Sequence, residues 1–582
     1  MNRRMGDRPG RAVRRLLAAV GTVPLVAACT TLPGESAPEV VSSYVSQPTQ
    51  ENVVEPRPGQ PSDLLLRDFF SASAHPIGNH QAAKKFLDDG VADRWQDGAA
   101  TIILDHIDIN SDGAARDGRI SYKVRGNIIG RLGTGGTFRP ENTPYEETYE
   151  LSRADDEWRI DGLPNGVVMD RNDFTAAYQD RDIYFLDPTQ RRLVPDRRWV
   201  YTRQESQASS LMSLLAAGPR DVLTRGVHSA LPPDAAVQAS SSGGPGFTVD
   251  FSGLSTLSAE DRTRLAAQVV WTLASADIRG PYTILADGSP LSDEVDGGWN
   301  IDDVSQFDPK AAPVTPLRAL RDGGLVEVTD GQVRQMQGWP ARGGIESVGV
   351  SAASSAVAGV VSRGDRRRAL LVGTPDEEPR TAAEGESLTR PTWTADGTTF
   401  YSVVDGQKVM RFTRSSSSGE ISRQEVDRAG LDELGDPEAR ISVFQVSRDG
   451  TRAVVLVNGR VYISVLERGD GDRVRLGRFI QVGYQLGETA VSAEWQVDGS
   501  LIVGTRANDA PVWRVEVDGS SATQLPSRNV TAPVVAVAST STLQYITDGR
   551  ALLQLDPGDS DSRYWREVPA LQGERAVPII AQ

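Results

Sequence analysis

Three stretches of this chain, Thr392-Trp393-Thr394-Ala395-Asp396-Gly397-Thr398, Gln445-Val446-Ser447-Arg448-Asp449-Gly450-Thr451 and Glu494-Trp495-Gln496-Val497-Asp498-Gly499-Ser500, share one pattern. In each, an apolar residue precedes a polar one, an Asp-Gly pair turns the chain, and an apolar strand such as Arg452 to Val457 or Leu501 to Thr505 follows. Asp accepts bonds from nearby backbone N–H groups and Gly permits positive φ, so the pair recurs where antiparallel strands reverse. Degenerate copies without Asp-Gly stand at Val350-Ser351-Ala352 and Ala538-Ser539-Thr540, which sets the anchors 351, 394, 447, 496 and 539 at spacings of 43, 53, 49 and 43 residues. A period of that size marks the blades of a propeller. Residues 317–582 are predicted to form an all-β propeller of five to seven irregular blades, with Leu317 to Met336 helping to close the ring.

Upstream, residues 181–303 mix helix and strand periods. Strands are expected over Asp182 to Leu186, Arg192 to Tyr201, Phe247 to Phe251 and Tyr282 to Leu285. One helix has Ala208, Leu211, Met212 and Leu215 on its apolar face, and a second opens with the capping pair Ser258 and Asp261 and points Leu265, Val269 and Leu273 inward. Ile183-Tyr184-Phe185, Leu193-Val194-Pro195 with Arg198, Leu214-Leu215 before Gly218-Pro219, Ser229-Ala230-Leu231-Pro232, Val249-Asp250, Gln268 with Thr272-Leu273, and Asp287-Gly288 occur in this order, and together the segment resembles the GerMN domain.

Residues 62–170 read as another α+β unit. Ser62-Asp63 caps a helix with Leu65, Leu66, Phe69 and Phe70 on one face, and a short helix is expected from Gln81 to Leu87. Alternating stretches at Thr101 to Ile109, Ile120 to Ile129, Tyr145 to Leu151 and Glu157 to Ile160 then predict a curved antiparallel sheet, a cone of the NTF2-like or cystatin-like kind. Gly130-Arg131-Leu132-Gly133-Thr134-Gly135-Gly136 precedes no helix, so it lacks the amide-lined helix start of a phosphate cradle and reads as a flexible loop.

Residues 1–28 are a basic leader followed by thirteen uncharged residues, Leu16 to Ala28, which is too short for a hydrocarbon core needing about 20 residues of helix. The run ends at Val26-Ala27-Ala28-Cys29, which resembles a bacterial lipobox. That resemblance implies cleavage before Cys29, the only cysteine, with an N-acyl and S-diacylglycerol anchor on it. A plain signal peptide with a stray thiol explains fewer of these features. Residues 29–61 are rich in Pro, Ser, Glu and Thr and read as a disordered tether.

This order of lipobox, tether, α+β domain ending in Trp158-Arg159-Ile160-Asp161-Gly162-Leu163-Pro164, GerMN-like domain and propeller resembles the actinobacterial lipoprotein LpqB family across nearly the whole chain. The resemblance implies a lipid-anchored accessory on the outer face of the cytoplasmic membrane. Its implied partner is the extracytoplasmic part of a sensor kinase, MtrB of the MtrAB two-component system, and its implied role is in signalling and envelope homeostasis or division.

The residues themselves point to no catalysis. His75, His80, His106 and His228 are too few and dispersed for a triad or a zinc site, and no Gly-x-Ser-x-Gly or Ser-x-x-Lys occurs. Asp108-Ile109-Asn110-Ser111-Asp112-Gly113 begins like a calcium loop, but Arg119 stands where the bidentate Glu belongs, so it reads as a hairpin turn. No catalytic residue, metal ligand or cofactor is assigned. Formal charge is -16, and because the leader carries six Arg against one Asp the rest of the chain carries about -21. Such a surface argues against nucleic acid as a partner. A cell-wall glycan- or peptide-binding, or carbohydrate-active, propeller is the alternative reading, since an exported protein with ten Trp allows it. Trp95, Trp158, Trp271, Trp393 and Trp495, however, sit in strand or helix patterns where core packing is the ordinary use.

Overall fold

The ring at the C-terminal end of the chain is built from antiparallel sheets whose innermost strands adjoin one another in a closed circuit. A computed structural model describes residues 53–202, 207–240, 246–311, 314–559 and 563–582. The leader, the lipobox residues Val26, Ala27 and Ala28, Cys29 and the tether up to residue 52 lie outside the described residues.

Six blades are present among the described residues. Five are consecutive in sequence, opening with Ile345–Val350, Thr392–Trp393, Ile441–Val446, Ala490–Trp495 and Ala536–Ser539. The sixth is composite. Leu317–Arg321, Gly324–Thr329 and Gln332–Gln335 form its outer strands, and Val577–Ile579 pairs antiparallel with Leu317–Arg321 as its innermost strand. The stretch from Leu317 to Met336 thus closes the ring with Val577–Ile579 as its partner.

The repeated Asp-Gly pairs lie between the first and second strands of blades two, three and four. Asp396 Oδ1 accepts from the amides of Thr398 at 2.7 Å and Thr399 at 2.8 Å. Asp449 Oδ1 accepts from Thr451 N at 2.8 Å, and Asp498 Oδ1 from Ser500 N at 3.0 Å. Gly397, Gly450 and Gly499 have φ of 73°, 75° and 82°, the left-handed region where a Cβ is strained. Burial alone would raise the Asp396 carboxyl, but the Thr399 and Thr398 amides outweigh it and hold it below the usual carboxylate range. Blades are also stitched sideways: Trp393 Nε1 donates to Gly349 O at 3.1 Å and Trp495 Nε1 to Gln445 O at 2.9 Å, each on the first strand of the preceding blade.

The N-terminal domain packs the helix Ser62–Ser73, with Leu65, Leu66, Phe69 and Phe70 buried, on a six-stranded sheet. Several local expectations change here. Pro61, not Ser62, holds the N-cap position, and Ser62 Oγ instead bonds Tyr122 OH at 2.7 Å. The second helix is Ile77–Lys84, opening in a left-handed turn at Gly78, Asn79 and His80. The strand expected from Thr101 to Ile109 is two, Thr101–Leu104 and Asp108–Ser111, because Asp105 turns its carboxylate to the amides of His106 and Asn127. The expected glycine loop is ordered: Arg119–Gly133 and Thr137–Ala154 form one long hairpin joined by a tight turn at Thr134–Gly136.

The central domain carries the hairpin Tyr178–Leu186 with Leu193–Tyr201, and a sheet in which Phe247–Ser252 and Tyr282–Ala286 run parallel. Parallel strands need a crossover, and the helix Ala259–Ser275 supplies it, with Ser258 Oγ accepting from Asp261 N at 3.1 Å as the cap. Gln268 and Thr272 are fully buried on that helix. Gln268 donates to Tyr184 O at 2.8 Å and accepts from Ala230 N at 2.7 Å, while Thr272 accepts from Tyr184 N at 3.1 Å. These polar side chains satisfy the backbone of the hairpin, which a buried strand edge requires.

Ile579 is 2 % exposed in the closing strand. Its replacement by Ala is expected to lower stability by roughly 2–5 kcal/mol, read as a drop in the urea midpoint; an unchanged midpoint would mean the closing strand does not hold the ring.

Candidate functional site

The strand Leu193–Tyr201 touches all three domains, and its alternation explains how. Asp196 and Arg198 are buried on one side, with Asp196 fully inaccessible. Asp196 Oδ2 accepts from Arg198 Nη2 at 2.7 Å, Arg198 Nε at 3.0 Å and Arg220 N at 3.0 Å, and its Oδ1 lies 2.9 Å from Arg220 Nε as an ion pair without hydrogen-bond alignment. Arg198 then reaches Gly135 O in the N-terminal hairpin at 3.1 Å and Gly218 O after the central domain's first helix at 3.2 Å. Buried charge survives only with partners of this kind.

On the other side, Arg197 pairs with Asp182 at 3.3 Å and with Glu516 of the fourth blade. Burial works against the Arg197 charge, but Asp182, Asp518, Glu516 and Asp180 together raise its pKa. Burial likewise raises the Asp182 carboxyl, with Arg197 opposing. Trp199 packs on Phe174 at 4.5 Å and donates to Asp518 Oδ2 at 3.0 Å, joining the N-terminal core to the propeller. Arg452 of the third blade donates to Pro195 O, and Val465 of the same blade is part of the central domain's core. The turn that reads as flexible in sequence is a docking point: a Cβ at Gly136, φ 72°, would lie 2.2 Å from Trp199 O.

Beside this junction the mouth of the propeller holds a cavity of about 260 Å³. Trp393, Trp495, Val446 and Ile580 give it an apolar wall, and Arg192 of the central hairpin and Arg448 of the third blade give it two cations. Glu494 and Gln582 line it too: Glu494 pairs with Arg390, and the Gln582 side chain accepts from Thr392 Oγ1 and Trp393 N, both at 2.9 Å. These groups come from positions up to 390 residues apart, so spacing could not reveal them. One local signal existed: Arg448 fills the turn slot that holds Ala395 and Val497 in the other two repeats.

The histidines stay apart. His80 Nδ1 meets Asp97 at 2.8 Å, His106 meets Asp105 at 2.9 Å and Asp108 at 3.1 Å, His75 Nδ1 meets Tyr201 OH at 2.8 Å, and His228 joins a backbone bridge to Leu186. Among the described residues no group of three or more His, Cys, Asp or Glu could hold a metal ion. Asp108–Ser111 is an edge strand paired with Tyr122 to Arg125. Trp95, Trp393 and Trp495 are buried, whereas Trp158 and Trp271 are only partly so.

Gly136→Ala is expected to weaken the seating of the N-terminal domain, costing more than about 1 kcal/mol from the positive φ alone and more from the clash. Limited proteolysis should then cut the junction around residues 171–178 faster than in the parent; equal rates would show that the turn does not set the seating.

Comparison with known proteins places each part. Residues 323–581 match the family model "Lipoprotein LpqB beta-propeller domain", residues 55–175 "Lipoprotein LpqB, N-terminal domain", and residues 182–292 "Sporulation and spore germination". The chain is similar to lipoprotein LpqB of Corynebacterium jeikeium, 48% identical over 565 residues and 97% of each chain. It is also similar to lipoprotein LpqB of Rhodococcus opacus, 36% identical over 99% of each, and of Rhodococcus jostii, 37% identical over 95% of this chain and 96% of that one. No described helix is long and apolar enough to cross a membrane. The chain belongs to the lipoprotein LpqB family.

Proposed function

We propose that this protein is a non-catalytic scaffold held by lipid on Cys29 at the outer face of the cytoplasmic membrane, where it engages the extracytoplasmic part of an MtrB-like two-component sensor kinase and so modulates envelope homeostasis or division. The observation that carries the scaffold reading is the single strand Leu193–Tyr201, which ties three folded domains into one block through Arg197, Arg198 and Trp199. A block of that kind presents several faces at fixed angles, which suits recognition of a partner better than a flexible string of domains. Family membership and the leader ending in Val26-Ala27-Ala28-Cys29 support the anchor. The kinase partnership rests on the family resemblance. Anchoring at the membrane that also holds the kinase would raise the local concentration of each for the other.

Two measurements test this. The parent should take up labelled fatty acid and lose its leader, and Cys29→Ala should take up none and be left uncut or released; equal labelling of the two would refute the anchor. The purified residues 50–582 should bind the immobilised outer region of the kinase saturably in a surface-binding assay; no binding at any concentration tested would refute the partnership.

A further inference from the structure

The cavity at the propeller mouth has a charge pattern that the rest of the protein does not explain. The chain is acidic, with 78 Asp and Glu against 62 Lys and Arg, and most of its buried or half-buried Arg side chains are matched to carboxylates: Arg197 to Glu516, Arg198 and Arg220 to Asp196, Arg390 to Glu494, Arg414 to Glu377. Arg448 is different. It is half-buried at the cavity, donates at 2.9 Å to the Ser539 carbonyl, and forms no ion pair among the described residues. Arg192 reaches the same cavity from the central hairpin, and it too has no ion pair among the described residues.

These two guanidiniums face a common space. Burial lowers the Arg448 pKa, Glu494 opposes, and the like charge of Arg192 adds to the lowering. Glu494 lines the same cavity and is paired with Arg390. With Glu494 balanced by Arg390, Arg192 and Arg448 leave the lining with an excess of positive charge that an anion would relieve, and guanidinium forks match the two oxygens of a carboxylate. Around them the wall is apolar: Trp393, Trp495, Val446 and Ile580. The volume of about 260 Å³ falls just under the range of about 300–1,000 Å³ usual for drug-sized ligands, so the occupant is short.

We propose that this cavity binds a small monocarboxylate with an apolar body, its carboxylate held between Arg192 and Arg448 and its body against the two indoles. The same chemistry could come from the free carboxyl end of a short peptide or from a short acyl acid. This site goes beyond the partner reading and does not depend on it. Because Arg192 belongs to the central domain and Arg448 to the propeller, an occupant would bridge the two, adding a contact across their junction.

The test is calorimetric titration of residues 50–582, which form one compact unit, with four probes: N-acetyl-Ala-Ala, its C-terminal amide, hexanoate and hexanamide. Tryptophan fluorescence gives a second readout through Trp393 and Trp495. At least one acid should saturate and bind about tenfold or more tightly than its amide, since the amide loses the charge-assisted bonds. Saturation by the peptide acid alone assigns a peptide end, and by hexanoate alone an acyl acid. Arg192→Gln, at an exposed side chain, should keep the parent melting temperature and lose about tenfold in acid affinity; Arg448→Gln should do the same, and if it fails to fold, Arg192→Gln decides. Equal binding of acid and amide, no saturation by either acid, or full affinity in Arg192→Gln would overturn the proposal.

Discussion

Asp196 has no solvent exposure and stands against the guanidiniums of Arg198 and Arg220, and a buried carboxylate left without donors would cost several kcal/mol. Its donors therefore have to be delivered from elsewhere in the fold. Arg198 comes from the same strand and Arg220 from the segment after the central domain's first helix. Once Arg198 is drawn to Asp196, its remaining donors point at the Gly135 and Gly218 carbonyls, so the N-terminal hairpin is fixed by the same guanidinium. The strand's alternation then turns Arg197 and Trp199 the other way, toward Glu516 and Asp518 of the propeller. One pleated segment thereby orients three domains, because successive residues of a strand must face opposite sides.

Much of this was legible in the sequence where the cause is local. The Asp-Gly turns follow from side-chain acceptors and positive φ within a few residues, so the blade pattern could be read by hand, and the helix opened by Ser258 and Asp261 follows from its cap. The α+β, α+β and all-β classes of the three parts were likewise readable from period alone. What escaped was set by distant partners. Gly135 and Gly136 look like loop residues until Trp199 and Arg198 are brought against them. Thr101 to Ile109 has the alternation of one strand, yet Asp105 breaks it to satisfy the Asn127 amide across the sheet. Arg192 and Arg448 are ordinary surface-like arginines in sequence and become a pair only when the hairpin seats on the ring.

The distribution of charge follows the same logic. A surplus of acids keeps the exterior negative and soluble, whereas the guanidiniums are drawn inward to junctions: between strand and propeller at Arg197, between blades at Arg390, between domains at Arg198. Arginine suits these places because its planar fork can serve a carboxylate and a carbonyl at once. The near absence of lysine, at positions 84, 85, 123, 310 and 408 only, leaves arginine to make nearly all such connections.

The pairing of Val577–Ile579 with Leu317–Arg321 spans about 260 residues of chain. Every other blade can assemble from neighbours in sequence, but this one requires the two ends of the propeller segment to find each other, and the entropic cost of that loop falls on the last step of folding. A chain delivered from its N-terminus onward would hold five finished blades and an open seam until Val577–Ile579 arrived. During that interval the edges of the first and last blades would be unpaired strands, open to any other strand nearby. The architecture thus makes arrival of this one strand, rather than formation of the blades themselves, the event that seals the ring.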